Sequence, residues 1–266
     1  MPDLFIETRG RGDTHLVLLH GWAMTSAVFA PLVDRLQSRF TLHLVDLPGH
    51  GRSRESEVSL RPADCARAIA QLVPFAIWLG WSLGGVIALQ AALDFPAQVG
   101  ALVMMCASPC FVRKPDWPHA ISPEILREFA TDLREDHRAT LERFLALEAL
   151  GSDSAQEDLR QLRRDTFAET PPSVRALCEG LDVLEHTDLR GRLHELVQPS
   201  TWIAGRRDRL VPWQAMQWSA RQCGGAFTCI HGGGHAPFIG HADEAVAALE
   251  PLLESRRVAA GAGVAQ

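Results

Sequence analysis

Residues 80–84 read Gly80-Trp81-Ser82-Leu83-Gly84, between a strand-like apolar run, Ala76-Ile77-Trp78-Leu79, and a run of small and apolar residues, Gly85-Val86-Ile87-Ala88-Leu89-Gln90-Ala91-Ala92. A chain that leaves a buried strand and enters a helix within one residue has very little room. The residue at the corner is forced into a strained backbone conformation, and glycines two before and two after it keep the flanking segments from colliding. The pentapeptide alone is a weak signal; the strand–turn–helix setting gives it meaning. Ser82 is therefore the candidate nucleophile, and its competing reading as an ordinary helix N-cap leaves both glycines unexplained.

A serine hydroxyl needs a base to take its proton and a third group to hold that base in the right tautomer. After Ser82, each partner is expected past the end of a later strand. The run Thr201-Trp202-Ile203-Ala204 leads into Gly205-Arg206-Arg207-Asp208, and Phe227-Thr228-Cys229-Ile230 leads through Gly232-Gly233-Gly234 to His235. Asp208 and His235 are thus the candidate acid and base. Asp182 and Asp188 are the alternative acids, but neither directly follows a strand-like run; His231 and His241 are read as surface or capping residues. The strand His15-Leu16-Val17-Leu18-Leu19 ends in His20-Gly21-Trp22. Its end is the usual place for one oxyanion donor, so the expected pair is the backbone N–H groups of Trp22 and Leu83, the second at a helix N-terminus. His20 and His50 are read as structural residues of their turns.

Strand-like runs at 15–19, 41–45, 76–80, 99–106, 201–204 and 227–230 alternate with helical stretches near 28–38, 62–73, 83–94 and 212–222. Continuous apolar strands separated by helices predict an α/β protein with a mostly parallel central sheet covered on both faces, the α/β-hydrolase fold, with 4–8 as an antiparallel edge strand. From about Phe111 to Thr187 only helical periodicity remains, at 122–134, 138–150, 155–168 and 172–185. The expected organisation is a core of 1–110 and 188–255, an inserted helical lid over 111–187 that covers Ser82, and a flexible tail over 256–266.

With 266 residues, 47% hydrophobic, the chain can bury one large core. A net charge of −6 argues against general nucleic-acid affinity. The segment Met1-Pro2-Asp3-Leu4-Phe5 has neither a basic nor a long apolar region, and no apolar run is long enough to span a membrane, so a soluble cytoplasmic protein is expected; a monomer is the working expectation, which no feature of the sequence dictates. Cys65, Cys106, Cys110, Cys178, Cys223 and Cys229 form no C-x-x-C pair, which predicts free thiols, with no metal and no cofactor.

The segments His15–Trp22, Phe40–Gly49, Ala76–Gly85, Ser108–Phe111, Glu142–Leu147 and His235–Ile239 together resemble the pimeloyl-acyl-carrier-protein methyl ester esterases of bacterial biotin synthesis. The resemblance covers nearly the whole chain. It implies removal of a methyl ester from the distal end of a pimeloyl chain on acyl carrier protein, a triad on Ser82, Asp208 and His235, and substrate contacts on Trp22, Leu83 and Phe144. Trp81 is also expected along the acyl channel.

The lid's charges are read separately. From 111 to 190 there are 11 Lys and Arg against 17 Asp and Glu, so the segment is acidic as a whole. Within it, Arg160, Arg163 and Arg164 share one helix face opposite Ala155, Leu159, Leu162 and Thr166, with Arg138 and Arg143 on the preceding helix. Such a face is usually just solvated. The resemblance turns it into a docking surface for the acidic carrier, although Ala139 and Gln156 stand where the family pattern carries further arginines. The alternative function is a generalist short-chain carboxylesterase. Dehalogenase and epoxide-hydrolase chemistry need a carboxylate at the elbow and are excluded by Ser82, and a non-catalytic receptor would have no use for an intact set of site residues.

Overall fold

The computed structural model describes residues 3–168 and 171–252; the expected tail at 256–266 lies outside them. Seven strands form one sheet: β1 (Ile6–Arg9), β2 (Thr14–Leu19), β3 (Phe40–Val45), β4 (Ala76–Trp81), β5 (Val99–Met105), β6 (Ser200–Gly205) and β7 (Ala226–Ile230), in the order β1-β3-β2-β4-β5-β6-β7. All neighbours run parallel except β1, which lies antiparallel to β3 with Ile6 opposite Val45. The connecting helices are α1 (Ala30–Leu36), α2 (Pro62–Ala70), α3 (Leu83–Asp94) and α8 (Trp213–Gln222). Between β5 and β6 come α4 (Pro123–Glu135), α5 (His137–Ala149), α6 (Ala155–Phe167) and α7 (Val174–His186), and two short helices, α9 (Pro237–Gly240) and α10 (Ala242–Ala247), follow β7.

Every residue of β4 is buried, as a strand covered on both faces requires. Helix α3 is almost wholly apolar and its residues 83–92 are all buried, so it packs against the sheet, with Gly84 pressed on the Leu19 carbonyl of β2 and Gly85 on Ala107. The strand order reverses direction at β2, which pairs with β3 on one side and β4 on the other, with Leu19 opposite Gly80. Such a switch point opens a crevice at the strands' carboxyl ends. Trp22 follows β2 there, and Ser82 follows β4.

The loops at this edge are tied together. Asp46, after β3, accepts from the Ser26 amide (2.9 Å), the Ser26 hydroxyl (2.6 Å), the Arg52 amide (3.1 Å) and Arg52 Nε (3.0 Å). His20 is fully buried; its Nε2 accepts from the Leu47 amide (2.9 Å), so Nδ1 carries the proton and donates to the Gly21 carbonyl (2.8 Å). Burial lowers its pKa and keeps it neutral. His50 is likewise buried, its pKa pushed down to about 3 mainly by desolvation. Both histidines brace loops, as their sequence setting suggests.

All six cysteines are free. No described helix is long and apolar enough to cross a membrane, and no cluster of His, Cys, Asp and Glu among the described residues could hold a metal ion.

Candidate active site

Ser82 sits at φ 54°, ψ −120°, a left-handed corner that few non-glycine residues occupy. A Cβ on Gly80 would lie 2.2 Å from the Gly84 carbonyl oxygen, and one on Gly84 would lie 2.2 Å from that of Leu19. The glycines at both offsets are thus demanded by backbone packing, which is how the local sequence fixes the serine at the head of α3. Its amide donates to the Met105 carbonyl (3.1 Å), anchoring the corner to the neighbouring strand.

His235 Nε2 lies 2.9 Å from Ser82 Oγ, and its Nδ1 lies 2.8 Å from Asp208 Oδ2. The other Asp208 oxygen accepts from the amides of Leu210 (2.8 Å) and Val211 (2.9 Å), which orients the carboxylate from its own loop. A carboxylate fixed in this way holds Nδ1 protonated and leaves Nε2 as the acceptor facing the hydroxyl. The three groups are 2%, 1% and 7% exposed for Ser82, His235 and Asp208, so they interact in a medium poor in water. The competing residues are elsewhere: Asp182 pairs with His186, Asp188 with Lys114 and Arg190, His231 is exposed, and His241 bridges Asp153 and Glu244.

The loop carrying His235 is gripped from two sides. Its amide donates to the Glu148 carbonyl on α5 (3.3 Å), and its carbonyl accepts from Trp81 Nε1 (2.8 Å). Trp81, expected on the acyl channel, is instead committed behind the histidine: its ring packs edge-on against Phe238 at 5.1 Å and lies 5.7 Å from the His235 ring. The reason is the hydrogen bond, which fixes a buried indole wherever its N–H finds an acceptor.

The amides of Trp22 and Leu83 have no acceptor among the described residues, and that of Leu83 opens the 12-residue helix α3. Helix α7 seats the Trp22 indole, whose Nε1 donates to the Leu177 carbonyl (2.8 Å), and Gly180 lets the helix approach. From the other side Phe144 on α5 meets the Trp22 ring edge-on at 4.6 Å, and Phe129 on α4 meets Phe144 at 5.6 Å. Trp22, Leu83 and Phe144 therefore converge, joined by Phe129, which sequence reasoning passed over as one more apolar helix position.

Glu148 was also missed. Its side chain is fully buried, neither carboxyl oxygen has a hydrogen-bond partner among the described residues, and burial, with the nearby Asp208 charge, pushes its pKa well above the usual carboxyl range. The signal was present: Leu141, Phe144, Leu145 and Glu148 share one helical stripe, so an acid replaces the expected apolar residue on the inward face.

The candidate docking arginines are all exposed but largely engaged. Arg143 pairs with Asp132, Arg160 with Glu157, and Arg163 with Glu142 at 2.6 Å, while Arg164 bonds to Gln161 and Arg138 stacks over the Phe167 ring at 4.7 Å.

A parallel sheet with a left-handed serine corner, and with an imidazole and a carboxylate on loops past later strands, defines an α/β hydrolase. The chain matches the sequence profile of the α/β hydrolase fold over residues 14–242. It is 54% identical over 252 residues to the pimeloyl-[acyl-carrier protein] methyl ester esterase of Stenotrophomonas maltophilia, covering 94% of this chain and 96% of that one. It is 50% identical to the enzyme of the same name from Xylella fastidiosa over 94% and 98% of the two chains. The chain belongs to the pimeloyl-[acyl-carrier protein] methyl ester esterase family of α/β hydrolases. Among solved structures, an esterase from Exiguobacterium antarcticum (TM-score 0.81, 20% identity, 94% and 95% of the two chains) and a bromoperoxidase from Bacillus anthracis (TM-score 0.82, 19% identity, 94% and 95%) share its fold.

Proposed function

We propose that this chain hydrolyses the methyl ester of pimeloyl-[acyl-carrier protein], releasing methanol and the free carboxylate on the carrier-bound chain. The observation that carries the reading is the coincidence of 54% identity over nearly the full length with a hydrogen-bonded Ser82–His235–Asp208 array. In this reading His235 Nε2 takes the Ser82 proton as Oγ attacks the ester carbonyl, and the Trp22 and Leu83 amides receive the oxyanion. The imidazolium then protonates the departing methoxide. Water, deprotonated by the same nitrogen, attacks the acyl-enzyme, and the proton returns to Ser82 as the acid leaves.

Residues 111–187 act as the lid, with Trp22, Phe144 and Phe129 supplying apolar walls suited to an uncharged methyl ester and hostile to a free carboxylate. The exposed face bearing Arg138, Arg143, Arg160, Arg163 and Arg164 guides the acidic carrier, and the enzyme works as a cytoplasmic monomer without metal or cofactor. The test is complementation of a biotin auxotroph lacking its esterase, together with methanol release from methyl pimeloyl carrier protein. Growth and turnover support the reading. Hydrolysis of free short-chain esters with none of the carrier-linked substrate would replace it with the generalist esterase.

A further inference from the structure

The arginines of the lid helices mostly face carboxylates already, whereas those flanking the candidate catalytic acid do not. Arg207 and Arg209 stand on either side of the buried Asp208; both are exposed, and neither has an ion-pair partner among the described residues. The loop that carries them lies against the end of α5: Gly151, at φ +94°, has no room for a Cβ, which would sit 2.6 Å from the Arg207 carbonyl oxygen and 3.3 Å from Arg207 Cβ.

Just before that glycine, Leu150 is 53% exposed and offers an apolar contact beside the two guanidiniums. It continues a stripe of exposed residues along α5, Ala139, Arg143 and Ala146, at the spacing that places them on one face. The same turn borders a groove of about 510 Å³ lined by Ser152, Ser154, Gln156 and Arg160 together with two carboxylates, Asp153 and Glu157, which pair with His241 and Arg160. Exposed guanidinium groups and an exposed leucine therefore meet where the end of α5 abuts the loop of the candidate acid, with the groove and its paired carboxylates to one side.

We infer that Arg207, Arg209 and Leu150 form the core-side half of the docking surface for an acidic carrier protein, which straddles the junction of α5 with the 206–209 loop. The inference rests on the carrier-linked reading above. The enzyme carries a net charge of −6, so an acidic partner is repelled at long range and must be captured by a local basic patch. Free guanidiniums serve that purpose better than paired ones, whose field is already cancelled by a neighbouring carboxylate. Ala139 and Gln156 leave the lid face short of positive charge, and the core loop supplies it.

The test is steady-state hydrolysis of methyl pimeloyl carrier protein and of free methyl pimelate by wild type, by the double variant R207E/R209E and by L150S. For R207E/R209E, KM toward the carrier-linked ester should rise roughly tenfold at low salt, and the gap should close toward 1 M salt as the Debye length shrinks from ~10 Å to ~3 Å. L150S should raise the same KM by a smaller factor that does not depend on salt, and R207K/R209K should behave as wild type. The small ester should be hydrolysed equally by all. An unchanged KM for the carrier-linked ester in R207E/R209E overturns the inference while leaving the activity standing. Equal losses on both substrates also overturn it, because the arginines would then act through Asp208. If wild type ignores the carrier-linked ester, it is the functional reading that fails.

Discussion

Replacing Glu148 with glutamine tests whether a neutral carboxyl is built into the site. The carboxyl is fully buried, unpartnered among the described residues and close to Asp208, so the folded protein favours its protonated form. In the unfolded chain it titrates near its ordinary value of 4.5. A carboxyl whose folded pKa is raised binds its proton more tightly when folded, so its stabilising contribution is complete below the unfolded pKa and is lost as pH climbs toward the folded one. Within that window each pH unit costs the wild type about 1.4 kcal/mol. The amide introduced by E148Q has nearly the same shape and nothing to titrate, so the stability difference between the variant and wild type should grow in favour of the variant by about 1.4 kcal/mol per pH unit. In melting temperature that is roughly 3–6 °C per unit for a domain of this size. Urea unfolding of both proteins at successive pH values upward from 5 measures the slope directly until the folded carboxyl itself ionises, and any constant offset from the new amide cancels. A difference that stays flat across this range would refute the argument, since it would mean Glu148 is ionised or solvated in the folded state.

Ser82→Ala should fold normally, because alanine keeps the Cβ that the corner already accommodates and loses only the hydroxyl, and should lose at least ~10⁴ in kcat; substantial residual turnover in a well-folded variant would remove Ser82 from the nucleophile role. Asp208→Asn should lose a comparable ~10⁴, since the amide favours the wrong imidazole tautomer, with KM little changed; near-normal kcat would place the acid elsewhere. In competition assays, monomethyl pimelate derivatives should bind about tenfold or more tightly than the matching free acids, because Trp22, Phe144 and Phe129 offer a carboxylate no hydrogen bonds, and equal affinity would count against that pocket. Gly80→Ala should be strongly destabilising, by about 3 kcal/mol or more, since its Cβ would meet backbone rather than a movable side chain; a wild-type midpoint in chemical denaturation would contradict the packing argument.

What could be read from the sequence follows how local the cause is. The corner at Ser82 is set by residues within two positions of it, and Asp208 and His235 each lie a few residues past a strand, so motif and periodicity were enough to single out three side chains that the structure joins by hydrogen bonds. Helices α4 to α7 appeared at nearly the expected places because their apolar stripes are long. The short helices α9 and α10, of 4 and 6 residues, carry too little periodicity to register. Contacts across the fold were out of reach: nothing near Trp81 in sequence says that its N–H will meet the His235 carbonyl 154 residues away. Nor could helix spacing reveal that Arg143 pairs with Asp132 on α4, or Arg163 with Glu142 on α5. Glu148 lies between these cases, since its place on the inward stripe was visible while the neighbouring Asp208 was not.

The bond from the His235 amide to the Glu148 carbonyl gives the site the logic of a safety interlock. Ser82 is 2% exposed and His235 1%, so a carrier-borne chain can reach them only after something above them moves. If α5 is the part that swings aside, His235 loses one of its two backbone anchors, keeping the bonds from Trp81 and to Asp208, and regains it only when the helix reseats. A small ester that entered with α5 displaced would then meet a histidine less firmly placed for taking the Ser82 proton.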